Sequence, residues 1–113
     1  MNGWIGVDLD GTLAHYDKWT GEIGEPIPLM VERVKAWLGE GKAVKILTAR
    51  VSLVGRSADG EAFKSEQEAK IKAWCAQHIG QELEVVSGKD FLMIELWDDR
   101  CVHVELNTGR ILG

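Results

Sequence analysis

The sequence predicts an α/β fold: a mainly parallel sheet in a three-layer sandwich, with helices on both faces. Three observations predict it. Short apolar runs recur, and most stop at a polar residue with chemistry of its own. Stretches with apolar residues at helical spacing stand between them. The resulting order begins strand, helix, strand, helix, strand, the pattern of parallel crossover units. With 113 residues, 45% hydrophobic and 27% charged, the chain has the size and composition of a single domain over 1–113, neither disordered nor fibrous.

Residues 4–7, Trp-Ile-Gly-Val, form an apolar run with no charge until Asp8, as expected of a buried central strand. Residues 15–25 are polar, carry Gly21 and Gly24, and suit a hairpin or flap. Pro28 is placed to begin a helix, because its fixed φ suits the first helical position. Met30, Val31, Val34, Trp37 and Leu38 then fall on one helical face, and Gly39 and Gly41 end it. Residues 43–47 form a second strand, stopping at Thr48-Ala49-Arg50. A loop over 51–60 follows. From about 61 to 78, Phe63, Gln67, Lys70, Ile71, Trp74 and His78 recur at helical spacing, although only part of that stripe is apolar. Residues 83–86, 91–97 and 101–106 supply three further strands, and Asn107-Thr108-Gly109 reads as a turn.

Charge and targeting signals narrow the classes. Thirteen Lys and Arg against eighteen Asp and Glu give a net charge of −5, which weighs against nucleic acid as a partner because the broad positive field is missing. Cys75 and Cys101 form neither a CxxC pair nor a disulfide framework, so a reducing compartment is expected. No signal-peptide pattern and no membrane-length apolar run is present, which makes the cytoplasm the default. The five Trp residues are scattered and read mainly as packing residues.

In parallel α/β sheets ligands bind outside the carboxyl ends of the strands. That rule brings Asp8, Thr48 and Asp98 together, with Asp10 and Asp99 beside them. Clustered carboxylates raise one another's pKa unless a positive group intervenes. A divalent cation answers this, and an all-oxygen ligand set points to Mg²⁺, with phosphate oxygens as its natural partner. His15, His78 and His103 are too far apart in the chain to suggest zinc.

Asp8-Leu9-Asp10-Gly11-Thr12, after hydrophobic Ile5-Gly6-Val7, resembles the first signature of the haloacid dehalogenase (HAD) superfamily of phosphohydrolases. A match of this form arises by chance in roughly one chain in a thousand of this length. Thr48 after its apolar strand, a lysine (Lys89), and Asp98-Asp99 after another strand follow in the family's order, so the resemblance spans residues 4–100. It implies a Rossmann-like, HAD-like fold and a Mg²⁺-dependent phosphomonoester hydrolase working through an aspartyl-phosphate. By that resemblance Asp8 is the nucleophile and Asp10 the general acid/base. Mg²⁺ is held by Asp8, the Asp10 main-chain carbonyl and Asp98, with Asp99 in support. Thr48 and Lys89 hold the phosphoryl oxygens. Gly11 permits the sharp turn and Thr12 supports it.

Only eight residues separate Lys89 from Asp98, so Lys64 stays open as the phosphate lysine. No segment is long enough for a cap domain; residues 15–25, the loop 51–60 or a neighbouring copy must shield the site. A homo-oligomer is compatible with this without being required. Arg50 and Arg56 read as solvated surface residues, contact with a second anionic group of the substrate being the alternative, and Trp19 is the Trp placed to stack on a substrate. Two other functions stand beside phosphatase activity: a module that accepts a phosphoryl group and keeps it, and an enzyme acting on nucleic-acid ends. The substrate is phosphorylated, small or macromolecular; its identity is not written in these residues.

Overall fold

The computed structural model describes residues 3–113. In chain order they form β1 (Trp4–Val7), α1 (Pro28–Gly39), β2 (Ala43–Leu47), a short 3₁₀ turn (Ala49–Val51), α2 (Gly60–His78), β3 (Glu84–Val86) and β4 (Met93–Trp97). All strand pairs are parallel, in the order β3-β2-β1-β4, so the fold is α/β and Rossmann-like. β1 is central, which explains why its four residues are all apolar or glycine and all buried.

Side-chain alternation sorts the sheet into two faces. Ile5 and Val7 align in register with Val44 and Ile46, and Ile46 with Val85. These residues share one core cluster with Met30, Val31 and Val34 of α1 and Ile71, Trp74 and Cys75 of α2. Both helices therefore lie over the same face, in place of the helices on both faces that the sequence predicts. Both crossovers step along the sheet in the same direction, and right-handed connections that do so carry their helices to one side. Among the described residues the other face carries no helix. Trp4 covers part of it, donating its indole N–H to Asp90 at 2.8 Å with the Lys45 ammonium 4.6 Å above the ring. Gly6 makes room for it, since a Cβ there would lie 3.2 Å from the Trp4 ring.

The helices form for the reasons visible in the sequence. Pro28 opens α1, and Met30, Val31 and Val34 are buried while Trp37 and Leu38 pack partly buried against the core. Gly41 takes φ +83° just beyond the end, where a side chain would be strained. In α2 the stripe is mixed, and its polar member Gln67 is buried along with Ile71, Trp74 and Cys75.

Three strand expectations change. β3 begins at Glu84. β4 begins at Met93, because the Asp90 carboxylate accepts from the Leu92 N–H at 2.8 Å and holds residues 90–92 in a turn. The strand expected over 101–106 does not join the sheet. Asn107 (φ 66°) and Gly109 (φ 80°) turn the chain back on itself, giving one antiparallel bridge, Val104 to Ile111. Glu105 and His103 pair with Arg110 and Leu112 through 2.7 Å backbone bonds, a local closure that leaves β4 at the sheet edge. No helix among the described residues is long and apolar enough to cross a membrane.

Candidate active site at the carboxyl ends of the strands

The sheet ladder runs on past the strands and fixes the next residues side by side. The Asp8 N–H donates to the Trp97 carbonyl at 2.9 Å, and the Thr48 N–H donates to the Val86 carbonyl at 2.9 Å. Asp8, Thr48, Ser87 and Asp98 thus stand at one edge, on the floor of a cavity of about 520 Å³. Asp10, Asp99 and Arg50 line the same cavity, and Tyr16, Trp19, Ser52, Arg56 and Arg100 form its wall.

Oxygens of Asp8, Asp98 and Asp99 all lie within 4.8 Å of one another. Burial, first of all, and the neighbouring Asp98 charge push the Asp8 carboxyl up to about 7. A hydrogen bond with Asp99 acts the same way, and the Leu9 N–H acts against it. Such a group of hard oxygen donors fits a divalent cation.

The turn after Asp8 is built around the fully buried Leu9 and Leu13, with the Leu9 carbonyl accepting the N–H groups of Leu13 at 3.0 Å and Ala14 at 2.9 Å. Gly11 sits at φ +89°, and a Cβ there would meet the Asp99 carboxylate at 2.7 Å. Glycine is thus required twice, for the backbone and for the approach of Asp99. The Thr12 hydroxyl donates to Asp99 Oδ1 at 3.1 Å and accepts from the Asp99 N–H at 2.9 Å. Its role is to position Asp99, across 87 positions of sequence.

Arg50 corrects the expectation of a solvated surface residue. It is 5% exposed. Its Nε and Nη2 donate to the two carboxylate oxygens of Asp10 at 2.8 Å each, Nη1 to Gln67 Oε1 at 2.8 Å, and Nη2 also to the Glu22 carbonyl at 2.9 Å. The Trp19 ring covers the guanidinium, its centroid 4.7 Å away. A signal for this was in the sequence: Gln67 falls in a core-facing stripe, and a buried amide needs a partner. Thr48 is buried, and its hydroxyl accepts from the Arg50 N–H at 3.2 Å, leaving its own hydrogen to donate.

The two lysines do not join the site. The loop after β3 reaches the cavity at Ser87, whereas Lys89 is exposed and outside the lining; Lys64, on α2, is outside it as well. The cations that line the cavity are Arg50, Arg56 and Arg100. The flap over residues 15–25 is tied at its base, His15 N–H to the Glu25 carbonyl at 2.7 Å, and brings Tyr16 and Trp19 to the cavity. His78 packs against Trp74, away from the carboxylates.

Comparison of the sequence with protein-family models and with curated proteins finds no match. Among solved structures, the chain is similar to a conserved protein coded by a locus of Bacteroides thetaiotaomicron. The TM-score is 0.57 at 23% sequence identity, over 90% of this chain and 79% of that one. The likeness shows a shared fold.

Proposed function

We propose that the protein is a Mg²⁺-dependent phosphomonoester hydrolase of the small, capless HAD kind, working through an aspartyl-phosphate on Asp8. The observation that carries this reading is the grouping of Asp8, Asp98 and Asp99 oxygens within 4.8 Å on a cavity floor that also holds Asp10 and Thr48. With all four of its carboxylates ionised, as metal binding requires, the cavity carries one more negative group than its three guanidinium groups balance. A phosphate dianion would meet repulsion there without a divalent cation. Asp8, Asp98 and the Asp10 carbonyl would hold Mg²⁺, with Asp99 beside them, and the ion would neutralise phosphoryl charge during transfer.

In the first half-reaction an Asp8 oxygen bonds to phosphorus and the bond to the leaving oxygen breaks, while Asp10 gives that oxygen its proton. In the second, water attacks phosphorus, Asp10 takes the proton, and the P–O bond to Asp8 breaks to free inorganic phosphate. Arg50 occupies one lone pair on each Asp10 oxygen and so leaves the second lone pair of each to carry the proton. The Thr48 hydroxyl would hold a phosphoryl oxygen, and Arg100, next in sequence to Asp99, would offset charge where a lysine was expected. A reducing, cytoplasmic setting fits the two unpaired cysteines, Cys75 and Cys101.

Hydrolysis of a generic aryl phosphate with Mg²⁺, with EDTA and in Asp8→Asn tests the reading. Turnover that needs both the metal and Asp8 supports it; near-wild-type turnover in Asp8→Asn overturns it. A long-lived phospho-aspartate after mixing with acetyl phosphate favours the phosphoryl-accepting module instead.

A further inference from the structure

We propose that the cavity takes a nucleoside monophosphate, with its phosphate on the Asp8 floor and its base against Trp19; the inference rests on the phosphatase reading and names its substrate. A volume of about 520 Å³ is far more than a phosphoryl group needs and falls within the range of small-molecule sites. The cavity therefore has room for a leaving group with bulk, and the wall says of what kind it would be.

Tyr16 and Trp19 line the cavity from the flap while 41% and 51% exposed. Trp19 is nevertheless held in place. Arg50 lies against its ring, and the Phe63 ring packs at 6.1 Å and 42°. Arg50 is in turn held by Asp10, Gln67 and the Glu22 carbonyl. The indole is thus a braced, half-exposed aromatic surface lining the same cavity as Asp8, of the kind on which a planar base stacks. A short aliphatic phosphate would leave it unused.

The base edge has a partner too. Arg56 lines the cavity and forms no ion pair with a carboxylate among the described residues. Arg56 is oriented by the Phe63 ring 4.1 Å away and by the Ser52 carbonyl at 3.1 Å. Guanidinium donors match the ring nitrogens and carbonyl oxygens of a nucleobase, which a plain phenyl ring lacks.

The test compares adenosine 5′-monophosphate, ribose 5-phosphate and phenyl phosphate with Mg²⁺. The expected kcat/KM for the nucleotide is at least about tenfold above each of the others, the scale of one base stack. Trp19→Ala should remove most of the preference over ribose 5-phosphate and Trp19→Phe should restore it. Using this ratio cancels any general loss from disturbing Arg50. Equal rates for all three compounds, or an unchanged ratio in Trp19→Ala, overturn the proposal. A 5′-phosphorylated oligonucleotide cleaved faster than the mononucleotide, with a rate that falls steeply with salt, overturns it in favour of a strand end. If none of these compounds nor a generic aryl phosphate is hydrolysed, the phosphatase reading fails by itself. Calorimetric titration of Asp8→Asn with the nucleotide and with ribose 5-phosphate then decides the ligand: tighter nucleotide binding upholds it, equal or absent binding overturns it.

Discussion

Arg50 holds both carboxylate oxygens of Asp10 at 2.8 Å, forty positions away in sequence, from a position almost closed to solvent. The fork of two parallel hydrogen bonds sets the plane of the Asp10 carboxylate as well as its position. The same guanidinium reaches Gln67 on α2 and the Glu22 carbonyl of the flap, so one side chain ties the turn after β1, the second helix and the flap together.

Replacing Arg50 should therefore damage both stability and turnover. Arg50→Met leaves Asp10 and Gln67 facing a methyl group and should cost about 3 kcal/mol of stability, read by urea unfolding. Arg50→Lys keeps the charge but loses the fork, and should recover less than half of the lost activity. Wild-type turnover in Arg50→Met would show that Asp10 needs no such support.

Asp8 gives a pH dependence of definite sign. Its folded-state pKa of about 7 lies above the 3.8 of the unfolded chain, so the metal-free folded protein holds this proton more tightly. The stability it supplies is complete below about pH 4 and is lost as pH rises through 7. With EDTA, the melting temperature should fall from pH 5 to pH 8 by at least about 4 °C more in wild type than in Asp8→Asn. Mg²⁺ at pH 8 should restore the wild type much more than the variant. Parallel pH profiles for the two proteins would refute the assignment.

Gly11 and Thr12 act on Asp99 and can be separated. Thr12→Val keeps the side chain's shape and removes both bonds to Asp99. Mg²⁺ affinity should fall about tenfold, the usual effect of losing a residue that orients a ligand, with the melting temperature little changed. Gly11→Ala combines a strained φ with a contact on the Asp99 carboxylate and should lose about 1–3 kcal/mol of stability as well. Titration calorimetry with Mg²⁺ and thermal melts distinguish the two outcomes.

The cationic role expected of a lysine can be assigned by substitution. Lys89→Ala and Lys64→Ala should change kcat/KM on an aryl phosphate by less than about twofold. Arg100→Ala should lower it about tenfold, the scale of one hydrogen bond to a charged group. A large loss in Lys89→Ala would mean that its loop carries the lysine to the phosphate during turnover.

What the sequence determined by itself was the order of the main strands and helices and the residues at the strand ends. Apolar runs marked β1, β2 and β4, helical periodicity with Pro28 marked α1, and the polar residues that stop the strands named Asp8, Thr48 and Asp98 before any contact was known. These succeed because strand and helix patterns repeat over a few residues, and parallel strands deliver their carboxyl ends to one edge. Tertiary structure alone decided the pairings between distant positions: Arg50 with Asp10 at a separation of 40, and Thr12 with Asp99 at 87. It also decided that both helices share one face, since handedness acts on the direction of crossovers and not on composition. The residues after Cys101 alternate like a strand, but alternation is silent about the partner. The turn at Asn107–Gly109 closes a nearby loop, and a short loop loses less entropy on closing than pairing across the length of the chain does.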